Sequence, residues 1–194
     1  MWLLALVLAY LIGSIPTAYV VGRYVYGFDI RRRGSGNVGA TNALRTMGTF
    51  PGLLVLAVDA LKGILAVWLG QAMGGPWLAA ITALVAIIGH NWSIFLDFQG
   101  GRGVATTAGA VLAMAPPVIF WAALLWLVIV VFTRYVSLGS ILAAALAPFL
   151  MLFFHRPWPY ILFTFAGATL VIYRHRPNIK RLLAGTEHKL GERS

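Results

Sequence analysis

Two stretches of this chain set glycines beside a cation where a helix begins. The first reads Arg31-Arg32-Arg33-Gly34-Ser35-Gly36-Asn37-Val38-Gly39-Ala40-Thr41-Asn42-Ala43-Leu44-Arg45, the second Gly100-Gly101-Arg102-Gly103-Val104-Ala105-Thr106-Thr107. A glycine-rich turn opening a helix exposes backbone N–H groups at the positive end of the helix dipole, which suits phosphate. Gly34 to Gly39 also fits G-x-G-x-x-G, but no strand precedes it and no acidic residue follows at the right distance. A dinucleotide fold is excluded on that context. Asn37, Thr41 and Arg45 are spaced four apart and would share one helix face, with the Ser35 hydroxyl at the turn. A basic, lipid-facing loop would account for the arginines, but not for so many Ser, Asn and Thr side chains.

The titratable residues lie close to these loops. His90 precedes the second, as either a hydrogen-bonded structural residue or a general base. Asp59 and Lys62 sit one turn apart inside an apolar run, as a structural ion pair or as substrate contacts. The tail carries His175, Asn178 and Glu187 among basic residues, with Pro177 placed to start a short helix. There is no cysteine, which removes disulfides, thiolate metal sites and a Cys thioester from consideration. No metal or cofactor is expected.

The elements that position these groups follow from composition. Hydrophobic residues make up 60% and charged residues 10% of the 194, outside the range of soluble domains. Apolar runs at roughly 2–22, 51–70, 77–96, 118–132, 138–154 and 158–173 can each span a bilayer core of about 30 Å. The first has no preceding basic residue and no cleavage pattern, so it reads as a retained span. Pro116-Pro117 interrupt the stretch 103–132, and splitting there adds a short span at about 103–115. The expectation is an all-α, polytopic single domain over 1–194 with about seven transmembrane helices. This count gathers the basic residues of the 23–45 loop, Arg102, Arg134 and the tail from Arg174 to Arg193 on one side. The positive-inside rule then sets the N-terminus outside and the C-terminus inside. The net charge of +10 fits anionic lipid headgroups, with no nucleic acid partner.

Together these segments resemble the bacterial acyl-phosphate:glycerol-3-phosphate acyltransferases of the PlsY family. The matching residues are Gly13-Ser14-Ile15-Pro16, Gly34-Ser35-Gly36-Asn37 with Gly39, Thr41-Asn42 and Arg45, and Asp59-Ala60-Leu61-Lys62-Gly63. Further on come Gly89-His90, Phe95, Phe98, Gly100-Gly101-Arg102-Gly103-Val104-Ala105-Thr106, and His175-Arg176-Pro177-Asn178-Ile179 through Glu187. The family usually has Lys where this chain has Arg102, so the charge is kept on a planar fork. The His-x-x-x-x-Asp motif of soluble-domain glycerolipid acyltransferases is absent: Phe95, Tyr160 and Lys180 stand fifth after His90, His155 and His175.

The resemblance implies transfer of an acyl group from acyl phosphate to the 1-hydroxyl of glycerol-3-phosphate, at the cytoplasmic face of the inner membrane. It implies Ser35, Arg45, His90 and His175 as catalytic residues. Gly34, Gly36, Asn37, Thr41, Asn42, Asp59, Lys62, Gly100, Gly101, Arg102, Gly103, Asn178 and Glu187 would bind substrate. Membrane lipids are the other expected partners, with no obligate protein partner. A transporter of organic phosphate or another anion is the rival reading, and a non-catalytic scaffold would leave the polar clusters unexplained.

The arginine asymmetry predicts that a reporter fused after Gly75 lies outside, and that fusions after Arg33, Arg102 and Ser194 lie inside. A C-terminal reporter found outside would remove the short span near 103–115.

Overall fold

The computed structural model describes residues 1–191, so Arg193 and Ser194 lie outside the described residues. Helix α1 (Trp2–Ser14) stops where Pro16 removes an amide donor and pushes Ile15 out of the helical region. Helix α2 (Thr17–Tyr24) resumes after a 42° bend, and the two form one bent span. A short helix, α3 (Ala40–Met47), starts at extended Gly39 and ends at Gly48, φ +100°.

Helix α4 (Thr49–Asn91) contains a reversal. Gly74 and Gly75 leave helical geometry, Gly75 at φ +70°, and Pro76 follows. Its arms, 49–73 and 76–91, fold back on each other, and the Thr82 hydroxyl donates to the Ala66 carbonyl at 2.7 Å. Then come α5 (Val104–Met114), α6 (Pro116–Thr133), α7 (Val136–Phe153), α8 (Trp158–Arg174) and α9 (Arg176–Leu183). There is no strand among the described residues.

Helices α4, α6 and α7 are each long and apolar enough to cross a bilayer, and α1 with α2 adds a bent span. Counting both arms of α4, the shorter α5 and the 17-residue α8 gives the seven expected segments. Helix α5 has 11 residues, roughly 16 Å of rise. Two expected boundaries shift. The run expected to 96 leaves the α-helix at Asn91, and 94–96 is a 3-10 turn. Asn37 lies before α3, so it is not on one helical face with Thr41 and Arg45.

Burial is inverted relative to a water-soluble bundle. Large apolar side chains such as Phe120, Leu127, Val131, Phe149 and Phe153 face outward, while many interior contacts are made by small residues. Gly13 of α1 packs on the Ala86 backbone, Gly63 on Thr106, and Gly109 on Ala60. These contacts hold α1 against the second arm of α4 and α5 against the first. In this arrangement the polar loops all emerge at one end, opposite the Gly75 reversal.

Because a Cβ at Gly109 would collide with the Ala60 carbonyl, Gly109→Val should destabilise the bundle by about 1–3 kcal/mol. A lowered thermal midpoint in detergent is the readout. An unchanged midpoint would mean α5 is not held by this contact.

Candidate active site

The first loop is organised by Asn42, which is 1% exposed. Its Nδ2 lies 3.0, 3.1 and 3.3 Å from the carbonyls of Asn37, Arg33 and Ile30, and its Oδ1 accepts the Ser35 N–H at 2.9 Å. Gly34 and Gly36 take φ of +57° and +70°, so the turn needs glycine at both positions. The Gly36 N–H donates to Arg33 at 3.0 Å. This corrects the expectation that the glycine turn offers its amides to an anion. The Ser35 and Gly36 donors are used within the loop, and the N–H groups from Asn37 to Thr41, at the entry to α3, make no hydrogen bond among the described residues. Gly34 and Gly36 shape the turn without lining the cavity described below, whereas Ser35, Asn37, Thr41, Asn42 and Arg45 line it.

The second loop shows the same division. Gly100 and Gly101 donate their N–H groups to Asn91 and His90 at 3.1 and 3.0 Å. Their carbonyls accept from Arg174 at 3.0 and 3.1 Å, while that guanidinium stacks 5.3 Å from the Trp92 ring centre. Neither glycine lines the cavity described below. A Cβ on Gly101 would strike the His90 imidazole, so an alanine there would displace His90 rather than crowd an anion. Gly103, φ +76°, opens α5, whose first backbone bond runs from the Thr107 N–H to Gly103. The N–H groups of Val104, Ala105 and Thr106 therefore have no intrahelical acceptor.

Asp59 and Lys62 form a buried ion pair, N to O 2.5 Å. Lys62 also donates to the Ile15 carbonyl at the α1–α2 break, and Thr17 donates to Asp59 at 3.1 Å. Lys62 turns away from the cavity to stitch the broken helix, whereas Asp59 lines it. His90 Nδ1 is 3.9 Å from Asp59, too far for a direct hydrogen bond.

His175 caps α8, with Nδ1 2.7 Å from the Val171 carbonyl. A carbonyl only accepts, so Nδ1 carries the proton and Nε2 is left with a lone pair. Burial, reinforced by Arg102, pushes the imidazole pKa down to about 4. Glu187 accepts at Oε1 from Asn178 Nδ2, 2.6 Å, and Ser137, 2.8 Å, and at Oε2 from Arg181, 2.7 Å. Burial would raise its pKa, but these hydrogen bonds outweigh it and the carboxyl sits below its usual value. Because a carboxylate only accepts, the Asn178 amide orientation is fixed, with Oδ1 buried and unpartnered. Ser137 and Arg181 were not singled out from the sequence. Ser137 lies 50 residues from Glu187 within an apolar run and has no motif around it.

These groups wall a cavity of about 370 Å³. One end is polar, with Ser35, Asn37, Thr41, Arg45, Arg102 and Asn178; the other is apolar, with Val111, Ile119, Ala122, Trp126, Ala144 and Ala147. Arg45 and Arg102 make no ion pair or hydrogen bond among the described residues. Burial, with Arg181, Arg174 and Arg45 adding to it and Glu187 opposing, lowers the Arg102 pKa to about 10, which leaves it cationic at neutral pH. The polar end is an anion site, and the apolar end suits a hydrocarbon chain. Among the described residues no three His, Asp or Glu side chains are grouped to hold a metal.

In the unliganded protein, NMR titration of the His175 imidazole should give a midpoint below about 5, against its ordinary 6.5. Unfolding would let His175 take up a proton, so stability should fall as pH drops from about 6.5 toward 4. A His175 midpoint above 6 would show that water reaches the imidazole.

A sequence model of the family "Glycerol-3-phosphate acyltransferase" matches residues 3–185. A glycerol-3-phosphate acyltransferase 2 of Moorella thermoacetica is 81% identical over the full length of both chains. A glycerol-3-phosphate acyltransferase of a Synechococcus strain is 53% identical, covering 99% of this chain and 96% of its own. The crystal structure of PlsY, an integral membrane glycerol 3-phosphate acyltransferase in its glycerol 3-phosphate form, superposes with a TM-score of 0.94 at 40% identity. That match covers 98% of this chain and 96% of PlsY. Its lysophosphatidic acid form superposes at 0.90, again at 40% identity, over 98% of this chain and 95% of its own. The transporter reading gives way to an acyltransferase in a bacterial membrane: the chain belongs to the glycerol-3-phosphate acyltransferase family.

Proposed function

We propose that this enzyme transfers a fatty acyl group from acyl phosphate to the 1-hydroxyl of glycerol-3-phosphate, releasing lysophosphatidic acid and inorganic phosphate. The reaction would take place at the cytoplasmic face of the inner membrane. One observation carries the reading: two unpaired arginines, Arg45 and Arg102, sit at the polar end of a cavity whose other end is apolar. Two phosphate-bearing substrates and one acyl chain match that division. The PlsY structures, one a glycerol 3-phosphate form and one a lysophosphatidic acid form, support it. The arginine asymmetry supports a cytoplasmic site.

The chemistry follows from what each group can do. The chain has no cysteine to form a thioester, and in this reading the acceptor hydroxyl attacks the acyl carbonyl directly. A carbon–oxygen bond forms to the glycerol oxygen, and the bond from the acyl carbon to the phosphate oxygen breaks. Arg45, Arg102 and the free N–H groups opening α3 and α5 hold the phosphates and stabilise the developing oxyanion. Asn178 Oδ1 repels phosphate oxygens but accepts a hydroxyl, so it serves glycerol-3-phosphate, the substrate with alcohol donors. The hydroxyl proton has three acceptors at hand: His90, His175 Nε2 and a phosphate oxygen. A phosphate monoester titrates near 6, above the pKa of about 4 held by His175 in the empty cavity. Bound between Arg45 and Arg102 the phosphate becomes a weaker base, and its charge makes His175 a stronger one, so both can receive the proton and His175 Nε2 also orients the hydroxyl. The acyl chain lies among α5, α6 and α7.

Purified protein given acyl phosphate and glycerol-3-phosphate should yield lysophosphatidic acid and phosphate, and acyl-CoA should not replace the donor. Arg45→Ala should lower kcat/KM by roughly 10- to 200-fold, the loss of a charge-assisted bond of about 1.5–3 kcal/mol. Arg102→Lys should remain active. Near wild-type kcat/KM in Arg45→Ala at normal abundance would remove the first loop from the site.

A further inference from the structure

Beyond the cavity, the tail is tied to the helices through Arg134. This residue sits in the turn between α6 and α7 at φ +61°. Its Nε and Nη2 donate to the Leu190 carbonyl at 3.0 and 2.6 Å, and its carbonyl accepts the Leu190 N–H at 2.8 Å. Beside it Lys189 lies 5.6 Å from the Tyr135 ring centre. Residues 187–190 therefore form a strap lying along residues 134–137, fastened at one end by Arg134 and at the other by Glu187 on Ser137. Arg134 is exposed and does not line the cavity, so no role in phosphate binding explains it.

We infer that Arg134 is a positioning residue that tightens the enzyme's hold on the hydroxyl groups of its acceptor. The reason is a short chain of contacts. Arg134 holds Leu190, the strap holds Glu187, and Glu187 holds the Asn178 amide by its Nδ2, which leaves Oδ1 buried and without a protein partner on a side chain that lines the cavity. Releasing the strap leaves Glu187 to Ser137 and Arg181 alone, and the amide it holds gains freedom to rotate. What is lost is a hydroxyl acceptor, while Arg45, Arg102 and the α3 and α5 amides keep their hold on phosphate. The inference rests on the proposed acceptor, so the test reads binding and leaves turnover to judge the reaction.

Calorimetric affinities for glycerol-3-phosphate and for inorganic phosphate, which has no alcohol, separate the two effects. Arg134→Gly suits the positive φ and removes only the guanidinium bonds. It should weaken glycerol-3-phosphate binding roughly fivefold or more and change phosphate binding less than about twofold. Deuterium exchange at 187–190 should rise. Leu190→Pro, which deletes the amide donated to Arg134, should do the same, and the double variant should be no worse than the weaker single. Arg134→Lys, keeping one flexible donor, should fall between. The inference fails if the strap loosens and glycerol-3-phosphate affinity holds. It also fails if both ligands weaken equally alongside a lowered thermal midpoint, or if exchange at 187–190 does not change. Wild-type protein that binds glycerol-3-phosphate but makes no lysophosphatidic acid would sink the reaction and leave this inference standing.

Discussion

The buried pair of Asp59 and Lys62 is the constraint from which the site is built. Pro16 breaks the first span and leaves the Ile15 carbonyl without its helical donor, and Lys62 supplies one. A lone ammonium in that interior would be untenable, so Asp59 accompanies it, itself held by Thr17. Removing one partner of such a pair costs about 3–5 kcal/mol, because the other stays buried and uncompensated. What the pair secures is geometric. It fixes α2 against α4, and so the height at which the first loop turns over the bundle. It also places a carboxylate beside His90, whose ring rests on the second loop.

Above that anchor the structure assigns separate work to side chains that look alike in sequence. Arg174, ending α8, and Arg102, in the second loop, are neighbouring cations, yet Arg174 is bound to two carbonyls and an indole, and Arg102 makes no hydrogen bond or ion pair among the described residues. Gly101 and Gly103 flank the same arginine, yet one supports His90 and the other opens a helix. Asn42 and Asn178 both belong to polar clusters. Asn42 has its amide satisfied by the loop, while Asn178 keeps an acceptor unspent. The residues left unsatisfied are the ones in the cavity. The amides of Asn42, Gly36, Gly100 and Gly101 are matched internally, which keeps the open valences of Arg45 and Arg102 in fixed directions.

Much of this was legible in the sequence, for identifiable reasons. The spans follow from apolar runs and charge asymmetry, and Pro116-Pro117 marked α5 because proline cannot continue a helix. The convergence of three polar segments followed from counting spans. What periodicity could not supply was pairing across space. Whether a glycine N–H faces a ligand or a neighbouring carbonyl depends on the partner segment, so Gly36, Gly100 and Gly101 were misjudged as donors to an anion. Lys62 looked like a functional cation because its partner, the Ile15 carbonyl, is a backbone atom freed by a proline 46 positions earlier. Ser137 and the Arg134–Leu190 clasp left no local signature at all.

The shortness of α5 has a consequence for the lipid around it. At roughly 16 Å it cannot match a hydrocarbon layer of about 30 Å, and its N-terminus carries the unspent amides. Either the mouth of the cavity sits below the neighbouring headgroups or the bilayer thins to meet it, and both bring water and phosphate close to the tails. A fatty acyl donor could react there without leaving the leaflet that dissolves it, and the single-chain product would escape sideways, not upward. Local thinning of the bilayer is the elastic cost of that arrangement, so the thickness of the host membrane becomes part of the enzyme's working environment.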